Sequence, residues 1–243
     1  MQEAPSQLFY NLMPREVTKA VIFSCFDRID QLKKRYKPYV KKEFRGYYSG
    51  LILKFEYNSV TVIISGPGDS RVGDAVLALQ NTPCEYIVYT GAVGSIFPAL
   101  TIGDLFSPTK ALIGEGFSRY YSQKNALNNF SFASTDLLGK FKIYAVKKKC
   151  NVYFGHIFTT ETLFKQTPKE LDKLTNKFIH AIDMETSAFF TAAAYLGLKP
   201  IAIHYVSDLP YENRGVDLFN IHCRRIYVNI IHMIIDFTVN DLK

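Results

Sequence analysis

"AIDMETSAFFTAAAYLGLKPIAIHYVSDLP", residues 181–210, decides the fold. From Glu185 to Leu196 the run is strongly apolar and rich in alanine, which predicts a buried helix. Gly197 supplies the stop, and "KPIAIHYVSD" follows as a β-branched apolar strand. A buried helix feeding a buried strand is the unit of an α/β domain. Two carboxyl groups interrupt it, Glu185 where the helix opens and Asp208 where the strand closes. An ordinary core has no place for either.

Working outward, strands and helices alternate. "KAVIFSCF" (19–26) is a short continuous apolar run, as in a strand covered on both faces. "YYSGLILKFEY" and "SVTVIIS" are β-rich and separated by Asn58, which suits a hairpin. "GPGDSRVGDAVLALQN" passes from a glycine turn into a helix with Val72, Ala75, Val76 and Leu79 on one face. "CEYIVYTGAVG" is a strand ending in a second glycine turn, and "IGDLFSPTKALI" is another strand. Residues 115–129 read as a long loop, 135–149 as a helix and "VYFGHIFTT" as a strand. Thr167 and Pro168 cap and open a short helix, and a closing amphipathic helix ends the chain. This predicts a single α/β domain, residues 19–243, with a central mixed, largely parallel sheet flanked by helices; residues 1–18 read as an N-terminal extension.

Composition narrows the class. At 243 residues and 48% hydrophobic content the chain buries a full core, and no apolar run is long enough to span a bilayer. The opening "MQEAPSQLFYNLMPREVTK" lacks the charge order of a signal peptide, so a soluble cytoplasmic protein is expected, with no membrane partner. Cys25, Cys84, Cys150 and Cys223 are scattered without paired spacing, and the five histidines show no ligand pattern, so no metal is expected. The net charge of +7 is concentrated at residues 31–45 and 140–149, read as solvated helix faces or turns. No nucleic-acid signature accompanies them, so no nucleic-acid partner is expected.

In open α/β sheets ligands collect at the carboxyl ends of the strands. The two glycine turns "SGPGDSR" (65–71) and "TGAVGS" (90–95), "TTETLF" (159–164), "DMET" (183–186) and "VSD" (206–208) all fall at such ends. Singly each has an ordinary structural explanation: a tight turn, an acid matched to a helix dipole, an aspartate capping a turn.

Their order, "TGAVGS…IGD", "TTETLF", "IDMETSA", "VSD", resembles the nucleoside phosphorylase and nucleosidase superfamily from about Lys19 to the last helix. Glu185 and Asp208 stand 23 positions apart (208 minus 185), the separation of the ribose-binding glutamate and purine-protonating aspartate in the nucleosidase branch. The resemblance implies a nucleoside-phosphorylase-like fold and a small-molecule nucleoside partner, with a homodimer completing the 5′ pocket and no cofactor. It implies that Met184 packs under the ribose, Glu185 accepts from the ribose hydroxyls, Asp208 protonates the purine at N7 and Ser207 holds Asp208. Gly91, Ala92 and Val93 would border the substrate, and Phe164, or Leu163 one residue earlier, would stack on the base. An acid at the end of a buried strand suits the protonating role, because burial favours the neutral carboxyl.

The nucleophile half departs from the family. "FSCFDRID" lacks the Gly-Asp-Pro of a phosphorylase, Tyr89 stands where its second arginine belongs, and Ala92 stands where its hydroxyl belongs. A buried phosphate dianion would lack charge-matched partners there. The water-activating glutamate of nucleosidases aligns with Ile29, or with Asp30 on a one-residue shift; Asp30 is the candidate, with Asp27 nearby. Three readings follow. The first is a nucleosidase releasing adenine from methylthioadenosine, S-adenosylhomocysteine or 6-amino-6-deoxyfutalosine. The second is a phosphorylase whose phosphate is held by Arg28 or Arg71, and the third a non-catalytic nucleoside-binding or storage protein.

Overall fold

The computed structural model describes residues 3–25, 28–121, 129–212 and 221–242, and side chains throughout these except at 221–224. The chain runs α1 (Pro5–Tyr10), β1 (Ala20–Ser24), α2 (Ile29–Arg35), β2 (Val40–Arg45), β3 (Ser49–Lys54), β4 (Ser59–Ile64), α3 (Asp69–Leu77), β5 (Tyr86–Thr90), β6 (Ala92–Ser95), β7 (Leu105–Gly114), α4 (Phe117–Tyr121), β8 (Phe130–Phe132), α5 (Thr135–Lys147), β9 (Val152–Thr160), α6 (Pro168–Thr175), β10 (Ala181–Asp183), α7 (Thr186–Leu196), β11 (Lys199–Ala202), β12 (His204–Asp208) and α8 (Ile221–Asp241). It is an α/β domain of mixed sheets flanked by helices, as the alternation predicts.

The strands form two six-stranded sheets in place of one. The first has the order β11-β5-β1-β4-β3-β2, with β4, β1, β5 and β11 mutually parallel. The second has the order β12-β6-β10-β9-β7-β8, and β12 also pairs with β7, so five of its strands close into a ring. Neighbouring strands β5 and β11 cross together into this ring as β6 and β12. "TGAVGS", read as a turn, is therefore a pivot at Gly91 between two strands. The Ile203 N–H donates to the Tyr89 carbonyl at 2.9 Å beside this crossing.

Helix α7 lies in the middle, touching α3, α4, β7, β8 and β11. Every residue from Thr186 to Ala193 is buried, which is why the run carries no polar stripe. Phe189 packs edge-on to Phe23 and tilted on Tyr89, with ring centroids 5.8 and 5.3 Å away; burying such a ring contributes about 2–3 kcal/mol. Gly197 ends the helix at φ 70°, a left-handed conformation that glycine adopts without strain.

The amino-terminal residues are not an appendage. Tyr10, Leu12 and Val17 belong to the main core, and the Tyr10 hydroxyl donates to the Ala75 carbonyl in α3. Of the two basic stretches, residues 40–45 form β2 rather than a helix face or turn, and Glu43 pairs there with both Lys33 and Arg45.

Candidate active site

Strand β10 is short and buried, and at its end the chain turns into α7 with Glu185 at the helix's first cap position. Glu185 Oε1 accepts from the Gly68 N–H at 2.8 Å. Gly68 has φ 107° and caps α3, so a glycine turn from the first sheet delivers a backbone donor, at a helix N-terminus, to a carboxylate from the second. Asp183, two residues earlier, is also buried. It accepts from the Thr159 hydroxyl at 2.7 Å, from the Thr186 N–H at 2.8 Å and from the Thr186 hydroxyl. The same Thr186 hydroxyl lies 3.0 Å from His204 Nε2.

The electrostatics follow from the burial. Glu185 is pushed up from the usual glutamate range, first by desolvation and then by the charge of Asp183. Asp183 is pushed up by desolvation, opposed by its threonine hydrogen bonds. His204 is driven down to about 3 by burial, so it is a neutral imidazole. Among the described residues no lysine or arginine pairs with Asp183, Glu185 or Asp208. Two carboxyls without a cation share one buried corner, an arrangement that holds protons near neutral pH.

Asp208 ends β12 opposite Gly94 of β6. On the other side of Gly94 lies Ile182 of β10, so two strand spacings, about 10 Å, separate the Asp208 backbone from the "DMET" turn. Ser207 Oγ donates to Asp208 Oδ1 at 2.5 Å and lies 3.3 Å from the Val93 carbonyl. Burial raises Asp208, with the Ser207 hydrogen bond opposing. A methyl group on Gly94 would stand 2.8 Å from Asp208 Oδ2; this glycine leaves room for the carboxyl.

Gly91 and Val93 are buried, Ala92 and Met184 half-buried, and all lie along the crossing strands or the "DMET" turn. Two expected residues lie elsewhere. Asp30 sits in the first turn of α2 with its side chain 76% exposed and 3.4 Å from Arg45. Helical phase explains it: Ile29 faces the core, and the next position turns outward. Phe164 is 100% exposed and Leu163 51%, because residues 161–166 form a surface loop between β9 and α6. Phe164 therefore stacks on no described ring, although it lines a cavity of about 780 Å³ with Thr160, Thr162 and Ile182. Asp27 lies outside the described residues.

Sequence reasoning overlooked Asp183, His204 and Gly94 as parts of the site. Asp183 stands in the quoted "DMET", and the signal for it was a second acid in a strand otherwise apolar. Gly94 and His204 carry no local signal, since their meaning comes from strand pairing.

The family described as the phosphorylase superfamily matches residues 19–226. A DeoD-type purine nucleoside phosphorylase of Oceanobacillus iheyensis is 25% identical over 174 residues, 71% of this chain and 73% of the relative. The Mycoplasma genitalium protein of the same description is 29% identical over 170 residues, 68% of this chain and 70% of that one. A solved purine nucleoside phosphorylase of Toxoplasma gondii, in complex with immucillin-H, superimposes with a TM-score of 0.83 at 18% identity, covering 99% of this chain and 98% of its own. At that identity the likeness shows the fold.

Proposed function

The chain belongs to the phosphorylase superfamily, and on that premise we propose that it cleaves the N-glycosidic bond of a purine nucleoside, with water as acceptor. Cleavage builds positive charge on the ribose and negative charge on the departing base. Glu185 serves the first need as acceptor for the ribose hydroxyls, and Asp208 the second as the acid that protonates the purine. The observation that carries this reading is the Asp208 carboxyl, partly buried, raised by that burial and held by Ser207 two strands from Glu185. A general acid needs both a proton near neutral pH and a fixed direction.

Water is favoured as acceptor by what lies at the end of β5. Tyr89, in the position of the family's second phosphate-site arginine, is buried against Phe189 and His204. A dianion there would meet Asp183 and Glu185, with which no lysine or arginine pairs among the described residues. Adenine-containing nucleosides with a 5′ substituent are the proposed substrates on the strength of the motif resemblance. A homodimer belongs to the same proposal, and sedimentation checks it.

Phosphorolysis is the second reading, favoured by the naming of the relatives and by Arg71. Its Nε donates to the Ser65 carbonyl at 3.0 Å beside Gly66, and it has no ion pair among the described residues. Incubation with methylthioadenosine, S-adenosylhomocysteine, 6-amino-6-deoxyfutalosine and adenosine, with and without phosphate, separates the readings. Adenine release without phosphate supports hydrolysis, and release that requires phosphate replaces it with phosphorolysis. Binding without turnover leaves a nucleoside-binding protein.

A further inference from the structure

Tyr89 does more than fill the place of a cation. Its ring lies tilted on Phe189 at 5.3 Å and edge-on to His204 at 5.4 Å. Phe189 is one helical turn beyond Glu185, and its N–H donates to the Glu185 carbonyl at 3.0 Å. Residues four apart share a helix face, so the phenol lies along the face that begins with Glu185. Its hydroxyl reaches the pivot of the crossing strands, 3.2 Å from where a Gly91 Cβ would stand, with Cys25 Cβ 3.7 Å from the same point.

That hydroxyl is completely buried and makes no hydrogen bond of good geometry. A buried polar group left without a partner costs about 1–3 kcal/mol, so its retention calls for a partner in the working state. Its charged neighbours are the Glu185 and Asp183 carboxyls, with the Cys25 thiol beside them. Burial holds the phenol well above its ordinary range, which keeps it an O–H donor at every working pH. Burial likewise holds the Cys25 thiol up and neutral.

We propose that Tyr89 is the positioning residue of Glu185: its hydroxyl turns to donate to the ionised carboxylate and fixes it for the ribose hydroxyls of a purine nucleoside. The role in binding rests on the proposed function above; the contact with Glu185 does not. The groups facing Glu185 are the Asp183 carboxyl from β10, the Gly68 N–H before α3, the Met184 N–H of its own turn, the Cys25 thiol after β1 and the Tyr89 hydroxyl from β5. The Tyr89 hydroxyl and the Gly68 and Met184 backbone N–H groups favour the ionised form. Removing the phenol's hydrogen bond leaves only the two backbone donors, at Gly68 and Met184, against Asp183 and burial.

The test is the Tyr89→Phe protein, which keeps the ring and removes the donor. Glu185 ionisation is followed by carbon-13 NMR of labelled glutamate carboxyls in the ligand-free protein, with Glu185→Gln assigning the signal. The expected result is a midpoint higher by about one pH unit, roughly tenfold less ionised carboxylate on the acid side. A protein carrying 3-fluorotyrosine at position 89, a stronger donor of the same shape, is expected to lower the midpoint. Where turnover is present, Tyr89→Phe raises KM and moves the acid limb of kcat/KM upward, while kcat at high pH is retained. A midpoint unmoved in both proteins overturns the assignment. A shifted midpoint in a protein that cleaves no nucleoside keeps the contact and removes the function; an unmoved midpoint in an active enzyme does the reverse.

Discussion

Gly94→Ala tests whether the placement of Asp208 matters to the chemistry. The new Cβ would lie 2.8 Å from Asp208 Oδ2 and 3.0 Å from Pro210 Cγ. To reach 3.4 Å, the near edge of ordinary contact, the carboxylate oxygen must retreat by about 0.6 Å. It has little freedom to do so in place, since Ser207 holds its other oxygen at 2.5 Å. The carboxyl therefore swings about that anchor, and the direction of its proton changes with it. A misplacement approaching 1 Å at a reacting group costs on the order of 100-fold in rate. Gly94 has no positive φ, so the alanine adds no backbone strain, and the overpacking itself costs about 1–3 kcal/mol. Purine release by the purified variant, at saturating nucleoside, is expected to fall about 100-fold, with a cooperative thermal transition retained. Turnover within a fewfold of the parent, in a protein shown to be folded, would refute the reasoning that Gly94 makes room for a working Asp208.

Other outcomes follow from the same geometry. Asp208→Asn keeps the shape and the Ser207 contact but cannot deliver a proton, so turnover falls by about 100-fold or more with the melting temperature little changed; steady-state kinetics and a melt check both halves. Glu185 has a folded-state value raised above its unfolded one, so its contribution to stability is fully present below the ordinary glutamate range and is lost as pH rises through the raised value. Glu185→Gln removes that loss. Its melting temperature relative to the parent is expected to rise from pH 5 to about pH 7 and to level off above, and a flat or falling difference below pH 7 would contradict the burial of a carboxylate without a cation. Asp30→Asn removes an exposed ion pair with Arg45 and is expected to alter stability by less than about 0.5 kcal/mol and turnover not at all, as kinetics beside a melt would show.

Much of this architecture was legible because it is written in local chemistry. The alanine-rich run closed by Gly197 could be only a buried helix, and "VSD" could end only a buried strand. Glu185 and Asp208 announced themselves as acids where desolvation is expensive. What stayed hidden depends on pairing between distant segments. Nothing local at Gly91 says that a strand continues into a second sheet, and nothing at Gly94 says that Asp208 and Ile182 flank it. Asp30 failed for a different reason: alignment by one residue cannot see helical phase, and the turn that buries Ile29 points its neighbour to solvent. The amino-terminal segment lacked a motif, yet Tyr10 ties it to α3.

The central claim is that this site cleaves a purine nucleoside with water. The most direct test identifies the sugar product of a reaction run in phosphate buffer, by phosphorus NMR and chromatography after adenine release is complete. Free pentose, in amount equal to the adenine, is the predicted result. Pentose 1-phosphate in its place would contradict the account and make the protein a phosphorylase.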